Sequence, residues 1–335
     1  MKLSKKKIDD LNLELTLDVA PEDYAEEVKK KLSERRRTAE FKGFRKGMVP
    51  ASLIKRVYGE QALVDAVNDV ITNSLDKYIN DNKLHILGEP LGSEKQPEVE
   101  WVDGNSFKFI FDIALSPEVN VDVDKADEIV KYNITASAKE KASMVENMKK
   151  FYAERKEKDE KAEVKSDEEI EKEVAERLKE QNKQEAEWRL SKDIRDFYVN
   201  KAGVKLPEEF LKRWLFAANQ GKLSKEDIDK DFPGFCEDFK WQLVRGSLMQ
   251  KFGFKVEQDD IYEAAKAYVS YQYAMYGLGN VPEEMIMEAV GNMLKDRRQI
   301  ERLSEQVEDR KVIEKIKETA TFKEKKISSE KFREL

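Results

Sequence analysis

The sequence predicts two domains of different class: an α+β N-terminal domain, helices with a small antiparallel sheet, followed by an all-α, extended C-terminal domain. Three observations carry this. Apolar residues alternate strictly over 11–19, and Phe107, Phe109, Phe111 and Ile113 alternate again, the period of half-buried strands. Residues 139–190 hold 14 Lys+Arg and 16 Asp+Glu, a block too charged to build a core alone. From residue 188 onward, apolar residues recur at helical spacing between glycines and prolines, as in a set of amphipathic helices. The boundaries drawn are 1–116 for the α+β domain, 117–168 for an extended linker and charged helical arm, and 169–335 for the helical domain.

In chain order, Leu11, Leu13, Leu15, Leu17 and Val19 give the first strand its apolar face. Pro21, with Glu22 and Asp23, then opens a helix expected to reach about residue 40, with Tyr24, Val28 and Leu32 as its stripe. Residues 41–50, FKGFRKGMVP, hold two glycines and a closing proline and read as a loop. Helical spacing resumes at Ala51 and runs to about residue 82, with a break expected near Gly59. His85 to Leu87 read as a short strand ended by Gly88 and Pro90. Residues 98–102 and 106–115 read as a hairpin around Asp103-Gly104.

Beyond Pro117, a short extended piece over 129–135 leads into the charged arm. Ile170, Val174 and Leu178 make part of that arm helical, and 155–167 is expected to be its least structured stretch. Helices are then expected over 187–202, 207–220, 225–231, 235–252, 258–276, 282–296 and 299–318. Gly203, Gly221, Gly253 and Gly277 mark stops, and Ser224 with Asp227 marks a start.

Composition excludes several functions. The single cysteine, Cys236, rules out a disulfide framework and a multi-thiolate zinc site. One histidine, His85, leaves no Ser-His or Cys-His arrangement, and both residues read as structural. There is no phosphate-binding GxxxxGK[ST], no GxGxxG, no HExxH and no GxSxG, so neither catalytic residues, nor a cofactor, nor a metal is expected. The amino-terminal segment lacks the apolar stretch of a signal peptide, and no run is long enough to span a membrane, so a cytoplasmic protein is expected. Net charge is −7, although residues 1–60 carry 15 Lys+Arg against 11 Asp+Glu. That basic end alone would fit nucleic-acid binding, which the acidic balance of the whole chain disfavours.

Residues 41–50 are the strongest functional signal. Gly43, Gly47 and Pro50 frame Phe44, Arg45 and Lys46 at a loop tip, and Arg35, Arg36 and Arg37 extend the positive surface. A ring beside two cations can bury apolar area while meeting acidic side chains or phosphate. The residues fit equally a basic turn with Phe44 tucked onto its own domain. A second candidate is the run of Met275, Tyr276, Met285, Met287 and Met293, flexible apolar side chains suited to promiscuous contact.

GFRKGMVP followed by IKRVYGE closely resembles the ribosome-docking signature of the bacterial trigger factor family. HILGEP, FKFIFDIALSPEV, FLKRWL, DFKWQLV, YAMYGLGNVPEEM and DRKVIEKIKE resemble the same family, so nearly the whole chain is covered. The resemblance implies an ATP-independent chaperone that docks at the ribosomal tunnel exit and holds nascent and unfolded polypeptides. It implies that Phe44, Arg45 and Lys46 meet ribosomal protein L23 and nearby ribosomal RNA on the large subunit. It implies no membrane partner and leaves open a homodimer off the ribosome. One departure is large: members of this family typically carry an inserted FKBP-like peptidyl-prolyl isomerase domain, on the order of a hundred residues. Here the linker passes straight into the charged arm, so isomerase activity, the alternative function, is expected to be missing.

Overall fold

The computed structural model describes residues 1–158, 165–220, 222–278 and 280–335. They form two compact units, Met1–Glu118 with Lys205–Cys236, and Val119–Val204 with Glu237–Leu335. The segment Lys205–Cys236 thus groups with the N-terminal strands and helices, a division that chain order does not announce.

In the first unit, the alternating segment is β2 (Asn12–Val19), with Leu13, Leu15, Leu17 and Val19 buried. β1 (Lys2–Lys7), unforeseen in the sequence, pairs antiparallel with it and sets Lys2 opposite Asp18 and Lys6 opposite Glu14. Cross-strand charge pairs of this kind favour one register. β3 (Ile86–Gly92) and β4 (Phe107–Leu115) complete an antiparallel sheet of order β1-β2-β4-β3. Helices α1 (Pro21–Thr38) and α2 (Ala51–Asp81) contribute Tyr24, Val28, Leu63, Val67, Ile71 and Leu75 to the core beneath it. The Ala20 N–H donates to Asp23 Oδ2 at 2.8 Å, closing the start of α1.

Three expectations are corrected. First, α2 runs unbroken through Gly59. Burial of Leu63, Ala66, Val67 and Ile71 in the core of this unit outweighs the roughly 1 kcal/mol cost of a helical glycine. Second, residues 98–102 are not the hairpin partner of β4. Both edges of β4 are occupied, by β2 and by β3 with Gln96, whose side chain accepts from the Ile110 N–H at 2.7 Å. Trp101 packs instead against Phe107 and Phe109. Third, β3 is not ended by Gly88 and Pro90 but carries an irregularity between Leu87 and Leu91. Gly88 has φ +70° and lies against the Trp214 indole of α5 (Glu208–Ala218), so close that a Cβ there would stand 2.6 Å from Nε1. Arg213, also on α5, donates to Asp112 at 2.8 Å and to the Gly92 carbonyl at 3.0 Å.

The second unit begins with β5 (Glu128–Thr135) and the helices α3 (Ala138–Lys158) and α4 (Asp167–Ala202). Ile170, Val174 and Leu178 of α4 are buried against Met144, Val145, Met148 and Tyr152 of α3. The Ser166–Glu169 capping box starts α4. Residues 159–164, the centre of the stretch expected to be least structured, lie outside the described residues, as does the expected stop at Gly221. The expected helices over 225–231 and 235–252 are one, α6 (Lys225–Phe252), with Pro233 inside it; its residues to Cys236 belong to the first unit and those from Glu237 to the second. α7 (Gln258–Met275), α8 (Glu283–Met293) and α9 (Arg297–Thr319) follow.

Leu190, Ile194, Tyr198, Trp241, Val244, Leu248, Val312 and Ile316 form the larger core of this unit. At its side Asp309 accepts from Arg195 Nη2 at 2.6 Å, Trp241 Nε1 at 2.9 Å and Arg245 Nη1 at 2.9 Å. The helical unit also contains a strand pair: β6 (Thr321–Ser328) runs parallel to β5. Past it, α10 (Ser329–Phe332) and the residues after it return to α3, where Ser329 and Arg333 both donate to Glu140.

Candidate functional site

The loop after α1 is built by its own backbone. Gly43 and Gly47 have φ of +93° and +81°, a region unfavourable to residues with a Cβ. Two successive turns result, with Phe44 N–H donating to the Phe41 carbonyl at 3.0 Å and Met48 N–H to the Arg45 carbonyl at 2.9 Å. Val49 is fully buried and anchors the exit, and its carbonyl accepts from Arg36 Nε at 2.8 Å.

The three arginines of α1 divide their labour. Arg36 braces the loop, whereas Arg35 lies over the Tyr58 ring at 5.9 Å and reaches Asp65 at 4.0 Å. Arg37 is exposed and has no ion-pair partner among the described residues. Phe41 meets Tyr58 edge-on at 6.1 Å, tying the loop's entrance to α2. These contacts position the tip and leave its side chains outward. Phe44 is 44% exposed and Met48 is 67% exposed. Arg45 is exposed without an ion pair among the described residues, and Lys46 has only a loose pair with Glu40 at 3.7 Å.

Of the two readings of this loop, the tucked ring is therefore not the one observed. The tip offers apolar surface beside unspent positive charge, which can meet an acidic protein surface or phosphate. Met48 belongs to it, although the sequence reading gave it no role. Its place directly after Gly47, within the glycine-framed tip, was the available signal.

The second candidate lies in the other unit, where α7 ends and α8 begins. Met275, Tyr276, Met285 and Met287 are exposed, and Tyr271 and Leu278 join them. Met293 is instead half-buried against the small core of Ala265, Val269, Val290 and Leu303. A hollow of about 550 Å³ is lined by Gly277, Leu278, Asn280, Val281, Pro282 and Met285. Among the described residues no helix is long and apolar enough to cross a membrane, and no group of three or more His, Cys, Asp or Glu is placed to hold a metal ion.

Two family models match the chain. The one described as "Bacterial trigger factor protein (TF)" covers residues 1–148, and the one described as "Probable trigger factor, C-terminal domain" covers residues 186–335. Among curated proteins, the trigger factor of Francisella tularensis subsp. novicida (strain U112) is 29% identical over 153 residues, 46% of this chain and 34% of that protein. The trigger factors of Saccharophagus degradans (strain 2-40) and Geobacter sp. (strain M21) are each 28% identical over the same shares. The match thus spans about a third of the length of these curated relatives. A solved structure described under "Promiscuous Substrate Recognition in Folding and Assembly Activities of the Trigger Factor Chaperone" shares the fold. Its TM-score is 0.54 at 13% identity, covering 94% of this chain and 99% of that one.

Proposed function

This chain belongs to the bacterial trigger factor family, and from that premise we propose that it is a cytoplasmic, ATP-independent chaperone that docks on the ribosome and holds nascent and unfolded polypeptides. The observation that carries the docking half is the 41–50 tip, with Phe44, Arg45 and Met48 turned outward and the backbone fixed by Arg36 and Val49. Its partner on the large subunit is ribosomal protein L23 with nearby ribosomal RNA. The ring and the thioether supply contact area, and the cations meet carboxylates or phosphates. The client-holding half rests on the exposed methionines and tyrosines where α7 meets α8, adaptable side chains that favour weak and promiscuous contact.

The chain acts without prolyl isomerase activity on this reading. Residues 149–185 separate the two matched segments. That interval is below the ~50 residues of a small self-standing domain, and its described residues are mainly the end of α3 and the first half of α4. Co-sedimentation with intact ribosomes tests the docking. The wild type is expected to pellet with them, and a Phe44→Ala, Arg45→Ala, Lys46→Ala variant of unchanged thermal stability is expected to stay in solution. Pelleting of both alike would overturn the docking assignment.

A further inference from the structure

The sequence holds nine methionines, and they differ in access. Met249 is 9% exposed, and Met144, Met148 and Met293 are half-buried in helix contacts, while Met1 at the amino terminus and Met48 at the 41–50 tip are 45% and 67% exposed, outside the client-holding surface. Met275, Met285 and Met287 are 68%, 52% and 49% exposed, and all three lie where α7 ends and α8 begins. Tyr271, Tyr276 and Leu278 are exposed in the same region. No Lys or Arg occurs between residues 267 and 294, whereas Glu283, Glu284 and Glu288 do. Of the acidic residues there, Glu283 is paired with Lys266 at 2.8 Å, whereas Glu284 and Glu288 have no ion pair among the described residues. A small neutral oxidant meets no electrostatic barrier there, and an anionic one is repelled.

We propose that Met275, Met285 and Met287 form an oxidation switch on the client-holding surface, taking hydrogen peroxide as the oxidant and losing client affinity as sulfoxides. This rests on the proposed client-holding role of that surface. In the step, a thioether sulfur lone pair attacks one peroxide oxygen and the O–O bond breaks. The S–O bond of the sulfoxide forms, and the other oxygen leaves as water after proton transfer. Sulfur is oxidised by two electrons and the peroxide is reduced by two. Each event turns a flexible apolar side chain into a polar, chiral one, without charge change and without touching a core. A reductase dithiol reverses it, the sulfoxide oxygen leaving as water while the dithiol closes to a disulfide.

The test uses the full chain. After limited peroxide treatment, peptide mass spectrometry is expected to find sulfoxide at 275, 285 and 287 ahead of 144, 148, 249 and 293. Affinity for a permanently unfolded model client is expected to fall on the order of tenfold, since three apolar contacts are lost together. Methionine sulfoxide reductases A and B with a dithiol are expected to restore it. A Met275→Leu, Met285→Leu, Met287→Leu variant is expected to bind as the wild type does and to keep its affinity after peroxide. A triple Met→Gln variant, polar without oxidation, separates the two ideas. If it binds the client normally, the client-surface reading fails and the switch with it. If it binds weakly, but the three sulfurs are not oxidised first or their sulfoxides leave affinity unchanged, the switch alone is overturned.

Discussion

One substitution at Asp309 removes a junction of three helices in the helical unit. Its carboxylate is the common acceptor for Arg195, Trp241 and Arg245, joining α4, α6 and α9. The Arg245 side chain is only 8% exposed, and Trp241 is buried. Asp309→Ala removes the acceptor and leaves all three donors. Stranding a buried indole N–H costs about 1–3 kcal/mol, and stranding a buried charge about 3–5 kcal/mol. Two features reduce the second figure: Glu308 remains 3.1 Å from Arg245 Nε, and the Arg195 side chain is 40% exposed. A net loss of about 3 kcal/mol follows. With a urea slope of about 2 kcal/mol per M, the midpoint of this unit falls by about 1.5 M. The assay is urea unfolding followed by far-ultraviolet circular dichroism, reading the helix-rich transition. Adding Arg245→Met is expected to recover much of the loss, because removing both partners of a buried pair costs less than removing one. A single variant within about 0.5 kcal/mol of the wild type would refute the reasoning.

Gly88→Ala places a left-handed backbone and a Cβ against Trp214 at 2.6 Å, and about 2–3 kcal/mol of destabilisation is expected. Trp214→Ala in the same chain should make the two losses less than additive, which a double-mutant cycle in urea measures. Acid is expected to weaken the second unit through two carboxylates. Burial raises Asp127, but hydrogen bonds from Lys201, the Asp124 N–H and Tyr198 outweigh it and hold the group below its usual 3.8. The Ser329 hydroxyl, then Arg333 against opposing burial, holds Glu140 below its usual 4.5. Both folded values are depressed, so their stabilisation is present above about pH 4.5 and is lost as pH falls through the lowered values. Unfolding midpoints taken from about pH 7 to about pH 3 should show that slope, and Asp127→Asn with Glu140→Gln should flatten it. The chain is further expected to suppress aggregation of an unfolded client without ATP and to leave a proline-limited refolding rate unchanged. A faster refolding rate would remove the non-enzymatic reading.

What was legible in the sequence was what burial writes into it. β2 and β4 alternate because one face of each meets the core, and Pro21, Glu22 and Asp23 mark the start of α1 by elementary capping chemistry. The tip at 41–50 was legible because two glycines and a proline punctuate the chain and disfavour a helix or strand interior there. β1 was not, since an edge strand reading KLSKKK carries one apolar residue, Leu3, toward the core. β6 failed for the same reason: TFKEKKIS is mostly exposed, and its pairing with β5 joins residues far apart in the chain. The hairpin at 98–102 was misread because a turn signal at Asp103-Gly104 says nothing about occupied edges. That turn is held instead by buried Tyr24, whose hydroxyl donates to the Asn105 carbonyl at 2.9 Å. Asp309 was invisible because nothing in EDRKV distinguishes a carboxylate facing three donors from one facing water.

Site-specific crosslinking tests the central claim most directly. A photoreactive phenylalanine analogue placed at position 44 keeps an aromatic ring at the tip, where Phe44 is 44% exposed. On irradiation with intact ribosomes, the account expects a covalent adduct with a large-subunit protein at the tunnel exit, L23. The same probe at position 102, on the exposed Val102 of a different loop, should give none. Equal adducts from both positions, or no ribosomal adduct from position 44 while the protein still pellets with ribosomes, would contradict it.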